Sequence, residues 1–137
     1  MGDRGQVKII GTSEGSSTEL YFYTHWCATS LENFVSDALN RGRGRWNDSE
    51  YLNRIIFSEM IKDEVMSDIG FGIGFEPHAD IWKLVVVNHL DKTAGIMEMI
   101  YVDGKGEDLK YEDCYMGWSQ KPIPYEDFVF KYSGVVI

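Results

Sequence analysis

The stretch Asn40-Arg-Gly-Arg-Gly-Arg-Trp-Asn-Asp-Ser-Glu-Tyr-Leu-Asn-Arg54 carries four of the five arginines of a chain whose formal net charge is −9. A guanidinium is a planar fork that binds two oxygens of a phosphate or carboxylate at once and also stacks on a flat ring. Arg41, Arg43, Arg45 and Arg54 are therefore candidates for an anion pocket. Trp46 offers the ring, and Gly42 and Gly44 let the backbone approach a ligand. A plainer reading stands beside this one. Arg41 suits the C-terminal end of a helix for its dipole alone, and Asp48 and Glu50 can pair with neighbouring arginines, leaving solvated charge on a helix-joining loop.

A second group lies in Glu19-Leu-Tyr-Phe-Tyr-Thr-His-Trp26. Side chains alternate along a strand, so Tyr21, Tyr23 and His25 share one face and Leu20, Phe22, Thr24 and Trp26 the other. Two phenols and an imidazole on one face can hold a nucleobase or ribose, or let His25 move a proton near neutral pH. The same pattern also fits a partly buried aromatic strand with a structural histidine. Tyr23, His25 and Trp26 join Trp46 and the four arginines as candidate ligand-binding residues, with His25 the candidate catalyst of an enzyme.

Other motifs carry less. Gly70-Phe-Gly-Ile-Gly-Phe75 has phenylalanine where a dinucleotide fingerprint needs its last glycine, and no phosphate-binding G-x-x-x-x-G-K-[ST] run exists. Alternating glycines would leave one face of a strand without side chains, so that an aromatic ring or a ligand can lie against it, and close packing is the expected cause. His78 with Asp80, and His89 with Asp91 in a surface turn, lack a recognised ligand spacing, so no metal or cofactor is expected. Cys27 and Cys114 have no CxxC spacing and read as free thiols. Cys27 near a helix N-terminus could be activated, or could be a small buried hydrophobe.

The elements that must position these residues show in the periodicity. Residues 6–10 and 19–26 read as a hairpin of strands joined by the turn-rich segment 11–17. Leu31, Phe34, Val35, Ala38 and Leu39 mark one face of a helix starting near Thr29, with Thr29 and Glu32 at capping-box spacing and Gly42 placed for a left-handed cap. Asp48 caps a second helix whose apolar face is Leu52, Ile55, Ile56 and Met60. Strands follow at 69–75, 81–87 and 95–102. The segment 124–132 fits a short helix with proline in its first turn or an edge strand. The expected fold is one α+β domain spanning 1–137, a mainly antiparallel sheet with a two-helix hairpin on one face.

Composition limits the partners. The chain has 137 residues, 44% of them hydrophobic and 14% aromatic, enough for one core. It has no run of membrane-spanning length and no secretory signal, so a cytoplasmic protein is expected. The acidity counts against binding duplex nucleic acid.

The motifs Tyr21-x-Tyr23-Thr-His-Trp26, Ala38-Leu-x-Arg41-Gly-Arg-x-Arg-Trp46-x-Asp48-x-x-Tyr51-Leu-x-Arg54-Ile-Ile-Phe57 and Gly70-x-Gly72-Ile73, with the start Gly2-Asp-Arg4, resemble a family of small, largely uncharacterised proteins encoded by phages and prophages. The resemblance covers residues 2 to about 87. It implies a phage or mobile-element setting, the host cytoplasm, and a small oligomeric protein that counters host defence by holding a nucleotide signal or blocking a defence protein. Three readings follow: a binding protein for a phosphate-bearing, nucleotide-derived ligand; a nucleotide hydrolase or phosphodiesterase using His25; and an acidic inhibitor that meets a host defence protein through carboxylates such as those at 103–113. A homo-oligomer is expected, because Tyr21, Tyr23, Trp82 and Trp118 exceed the needs of one modest core.

Overall fold

A computed structural model describes residues 2–101 and 114–133. Strand β1 (Gly5–Ile10) and strand β2 (Glu19–Thr24) form the expected hairpin, Val7 opposite Phe22 and Ile9 opposite Leu20. With β3 (Phe71–Gly74), β4 (Lys83–Asn88), β5 (Thr93–Tyr101) and β6 (Cys114–Pro124), they make one sheet in the order β3-β2-β1-β4-β5-β6. β1 and β4 run parallel and every other neighbouring pair is antiparallel. The parallel pair requires a long crossover, and the helices lie in it.

That crossover contains a 3-10 turn at Ala28–Ser30, helix α1 (Leu31–Arg41), a second 3-10 turn at Arg43–Arg45 and helix α2 (Ser49–Ile61). Helix α3 (Tyr125–Tyr132) follows β6, with Pro124 as its N-cap, so the helical form of that segment is the one adopted and a third helix joins the hairpin. Val7, Ile9, Phe22, Val85, Val87 and Ile96 of the sheet meet Leu31, Val35, Leu39, Leu52, Ile56 and Phe128 of the helices in one buried cluster. The helix periodicity therefore selected the right faces.

Two local expectations fail for identifiable reasons. No capping box forms: the N-cap of α1 is Ser30 without a side-chain bond, the Thr29 N–H donates to Asp3 Oδ2 at 2.8 Å, and Glu32 turns instead to the buried Lys83, 2.8 Å from its Nζ. Gly42 sits at φ −93°, outside the left-handed region. Glycine is needed there for space, since a Cβ would stand 2.9 Å from Leu52 Cδ1 and 3.0 Å from the Ala38 carbonyl. Asp48 does cap α2, accepting from the Tyr51 N–H at 3.5 Å.

The sheet side away from the helices carries Gln6, Lys8, Tyr21, Tyr23, Leu84 and Val86. After β3 the chain crosses this side: Gln6, 1% exposed, donates to the Glu76 carbonyl and accepts from the His78 N–H. No helix among the described residues is long and apolar enough to cross a membrane. The acidic segment 103–113 lies outside the described residues.

Candidate functional site

Three short motifs separated in sequence meet at one end of the sheet. Thr24, fully buried, ends β2 and accepts the Cys27 N–H on Oγ1 at 3.1 Å, which turns the chain sharply after His25 and Trp26. The His25 N–H donates to the Gly70 carbonyl at 2.8 Å, just before β3. Trp26 packs against Gly70, whose φ is +91° and whose Cβ, if present, would stand 2.2 Å from the indole. Only glycine meets both demands. The N-terminal segment closes the third side. Gly2 packs on His25, where a Cβ would be 2.4 Å from the His25 carbonyl oxygen. Asp3 Oδ1 accepts from Trp82 Nε1 at 2.6 Å and its Oδ2 from the Thr29 N–H. Burial works to raise the Asp3 carboxyl, but hydrogen bonds from Thr29 and Trp82, with the charge of Lys83, outweigh it and hold the group below its ordinary value.

Within this frame the polar side chains converge. His25 Nδ1 lies 3.2 Å from Arg4 Nε and 3.2 Å from the Tyr23 hydroxyl. The Arg4 Nε–H can only donate, so Nδ1 is the bare nitrogen and a neutral ring carries its proton on Nε2. Arg4 Nη1 pairs with Asp80 Oδ2 at 2.5 Å. His78 stacks on Tyr23, centroids 4.5 Å apart at 22°, with its Nδ1 4.0 Å from Asp80 Oδ1. Burial, then the Asp80 carboxylate, raises the Tyr23 phenol above its ordinary value, so it remains a donor at neutral pH. Beside the cluster, β3 places Gly72 opposite Tyr23 and Gly74 opposite Tyr21. A Cβ at either glycine would meet no atom within 4 Å, so the close packing expected of the alternating glycines holds at Gly70, against Trp26, but not at Gly72 and Gly74, where the strip is open.

No family model, curated protein or solved structure matches the chain. The reading of the site therefore rests on its own geometry.

The arginines of the 40–54 stretch do not join this cluster. Tyr23 and His25 lie on the sheet side away from the helices, whereas these four lie among or beyond the helices. Arg41 Nε pairs with Glu59 at 3.1 Å, tying α1 to α2. Arg43 takes Asn40 Oδ1 at 2.9 Å and Glu126 of α3 at 3.4 Å, and lies 5.3 Å from the Trp46 ring, with its Nη2 buried and without a partner. Arg45 stacks on Tyr51 at 4.6 Å and lies 3.9 Å from Asp48. Exposed Arg54 has no ion pair among the described residues and borders an apolar groove with Phe57, Ile61 and Ile73. Trp46 is occupied too, its Nε1 donating to the Leu39 carbonyl and its ring meeting Tyr125.

The N-terminus of α2 does border a cavity of about 460 Å³, but Glu14, Asp48 and Glu50 line it. Its donors are also taken: the Ser49 N–H goes to Ser13 Oγ and the Tyr51 N–H to Asp48. Carboxylates repel a phosphate at the place where the helix would attract one.

Of the two readings of Cys27, the unactivated one fits: burial pushes its thiol up. One further expectation changes. His89 is not in a surface turn: it is 1% exposed, with Nδ1 2.9 Å from the Tyr125 hydroxyl and Nε2 2.7 Å from Asn53 Oδ1. Among the described residues no group of three His, Cys, Asp or Glu side chains could hold a metal. Sequence reasoning missed Arg4 and weighed His78 and Asp80 only as metal ligands. The available signal was Gly2-Asp-Arg4 itself, where a short charged segment enters a buried strand.

Proposed function

We propose that the chain is a ligand-binding protein whose site is the Arg4, Tyr23, His25, His78 cluster with the open Gly72 and Gly74 strip beside it. The ligand we propose is phosphate-bearing and nucleotide-derived. The observation that supports this is the juxtaposition of bare strand backbone with a cluster of donors: a Cβ at either glycine would meet no atom within 4 Å, Gly72 lies opposite Tyr23, and Tyr23 meets both His78 and His25, the latter bonded to Arg4. A planar base can lie on the peptide planes while donors at the sheet end take its polar groups. In this reading Trp26 fixes the His25 turn, and the arginine-rich connection braces helices. Taken with the resemblance to phage-encoded proteins, the ligand is read as a host immune signal held out of circulation.

A specific observation favours a second reading, a phosphodiesterase. General acid and base catalysis needs two proton-moving groups, and His25 and His78 both touch Tyr23. One experiment separates the two. The protein is incubated with mono-, di- and cyclic nucleotides, its melting temperature is recorded, and after denaturation the released compound is identified by mass. Stabilisation with intact ligand recovered supports binding, and new products support the hydrolase. Absence of stabilisation or products across the panel overturns both.

A further inference from the structure

We infer that two copies of this chain pair through β3, edge to edge and antiparallel, about a two-fold axis at Ile73. Among the described residues the sheet has two edges, β3 and β6. Natural edges are blunted with lysine and proline, and β6 follows the rule with Lys121, Pro122 and Pro124. β3 carries no such device: Phe71-Gly72-Ile73-Gly74 is uncharged, and Ile73 and the adjoining Phe75 are 59% and 79% exposed.

The backbone orientation makes this edge competent. In an antiparallel strand, alternate residues direct their N–H and C=O to the same neighbour. The Gly70 carbonyl accepts from His25, so Gly72 and Gly74 face β2 in the same alternation, and Phe71 and Ile73 turn their backbone groups outward. Those outward groups are a template for another strand.

The sequence identifies that strand. Phe71-Gly72-Ile73-Gly74-Phe75 reads the same in both directions. Antiparallel pairing of a strand with its own copy sets residue 73 opposite 73, 72 opposite 74 and 71 opposite 75. Ile73 then meets Ile73 as a doubly hydrogen-bonded pair, Phe71 meets Phe75, and glycine meets glycine. A one-residue slip would set an isoleucine of the helix side against a glycine of the other side, which the pleat forbids. Ile73 also borders the groove of about 370 Å³ formed with Leu20, Phe57 and Ile61, so the paired apolar side chains continue onto α2. The contact is isologous and closes at two copies. A different peptide would need this same alternation by coincidence, whereas a second copy carries it by construction.

The pairing does not depend on the ligand reading, but one consequence rests on it: the glycine strips of the two copies fuse into a single floor between two Tyr23, His25, His78 clusters.

The test uses the whole chain and light scattering coupled to size exclusion at micromolar concentration. The expected result is twice the 15.7 kDa chain mass for the natural protein, the single-chain mass for Ile73→Lys and for Ile73→Glu alone, and the doubled mass again when the two variants are mixed. Ile73 is exposed, so both variants should keep the natural circular-dichroism spectrum. A natural protein at the single-chain mass overturns the inference. So do variants that remain dimeric alone, and monomeric variants that fail to pair when mixed, because opposite charges facing across the axis must restore the contact. No ligand enters this assay, so its failure is distinct from failure of the binding reading.

Discussion

His89 shows how a single residue can be misread when only its neighbours in sequence are known. Asn88, Leu90, Asp91 and Lys92 have the composition of a turn, yet α2 and α3 enclose the imidazole. A consistent bonding scheme has the Tyr125 hydroxyl donating to Nδ1 and the Nε2–H donating to Asn53, so the ring is neutral. Burial, helped by the charge of Lys92, pushes its pKa down from 6.5 to about 4. The unfolded chain therefore takes up a proton between those values that the folded chain refuses, and stability falls as pH falls through the window. Between pH 7.5 and 5 the expected loss from this group is about 2 kcal/mol. His89→Gln keeps a donor and an acceptor but cannot titrate, so urea midpoints at the two pH values should differ less in the variant by that amount. Equal differences would refute the assignment. The bare strip makes a second residue-scale prediction. Gly72→Val fills space that no described atom occupies, so it should abolish nucleotide-dependent stabilisation while moving the apo melting temperature by at most a few degrees. Retained stabilisation would remove the strip from the site.

At the scale of elements, local rules predicted well wherever one face of an element had to be buried. Leu31, Val35, Ala38 and Leu39 repeat with helical period because the sheet lies beneath them, and Val7 and Ile9 alternate for the same reason. The rules failed where a distant partner competed. Glu32 was placed to cap α1, but Lys83 is buried at 4% side-chain exposure and requires a counter-charge, so the carboxylate goes there. Gly42 was chosen by Leu52 across the helix pair rather than by its own backbone angle. The arginine stretch divides likewise. Arg45 is exposed and paired with Asp48 at 3.9 Å, so Arg45→Ala should cost no more than about 0.5 kcal/mol in urea unfolding. Arg43 links α1 to α3 through Asn40 and Glu126 and covers Trp46, so Arg43→Ala should cost about 1–2 kcal/mol through lost packing and hydrogen bonds together. Equal costs would mean that the cluster braces nothing.

For the whole molecule, the sheet class was legible because strand and helix periods follow each other in distinct blocks, but the assembly of the site was not. Tyr23 and His25 could be paired from strand alternation, whereas Arg4 and His78 reach them only because β1 lies beside β2 and the segment after β3 folds back across the sheet. No spacing encodes that return. The arginines show the converse: of four close in sequence, Arg41 and Arg43 became separate ties among three helices, Arg45 pairs with nearby Asp48, and Arg54 has no ion pair among the described residues. The overall charge bears on the proposed pairing as well. Each chain carries −9, so two copies repel at long range, while the β3 edge itself is uncharged and apolar. Added salt screens the repulsion, with a Debye length shrinking from about 10 Å at 0.1 M to about 3 Å at 1 M, and leaves strand hydrogen bonds and apolar contact in place. The dimer should therefore tighten as sodium chloride rises from about 0.1 M to about 1 M, the range over which that change in screening occurs. Sedimentation equilibrium at the two concentrations measures the dissociation constant directly. A contact built on ion pairs, such as one using the free Arg54, would loosen instead, and that result would move the interface away from the β3 edge.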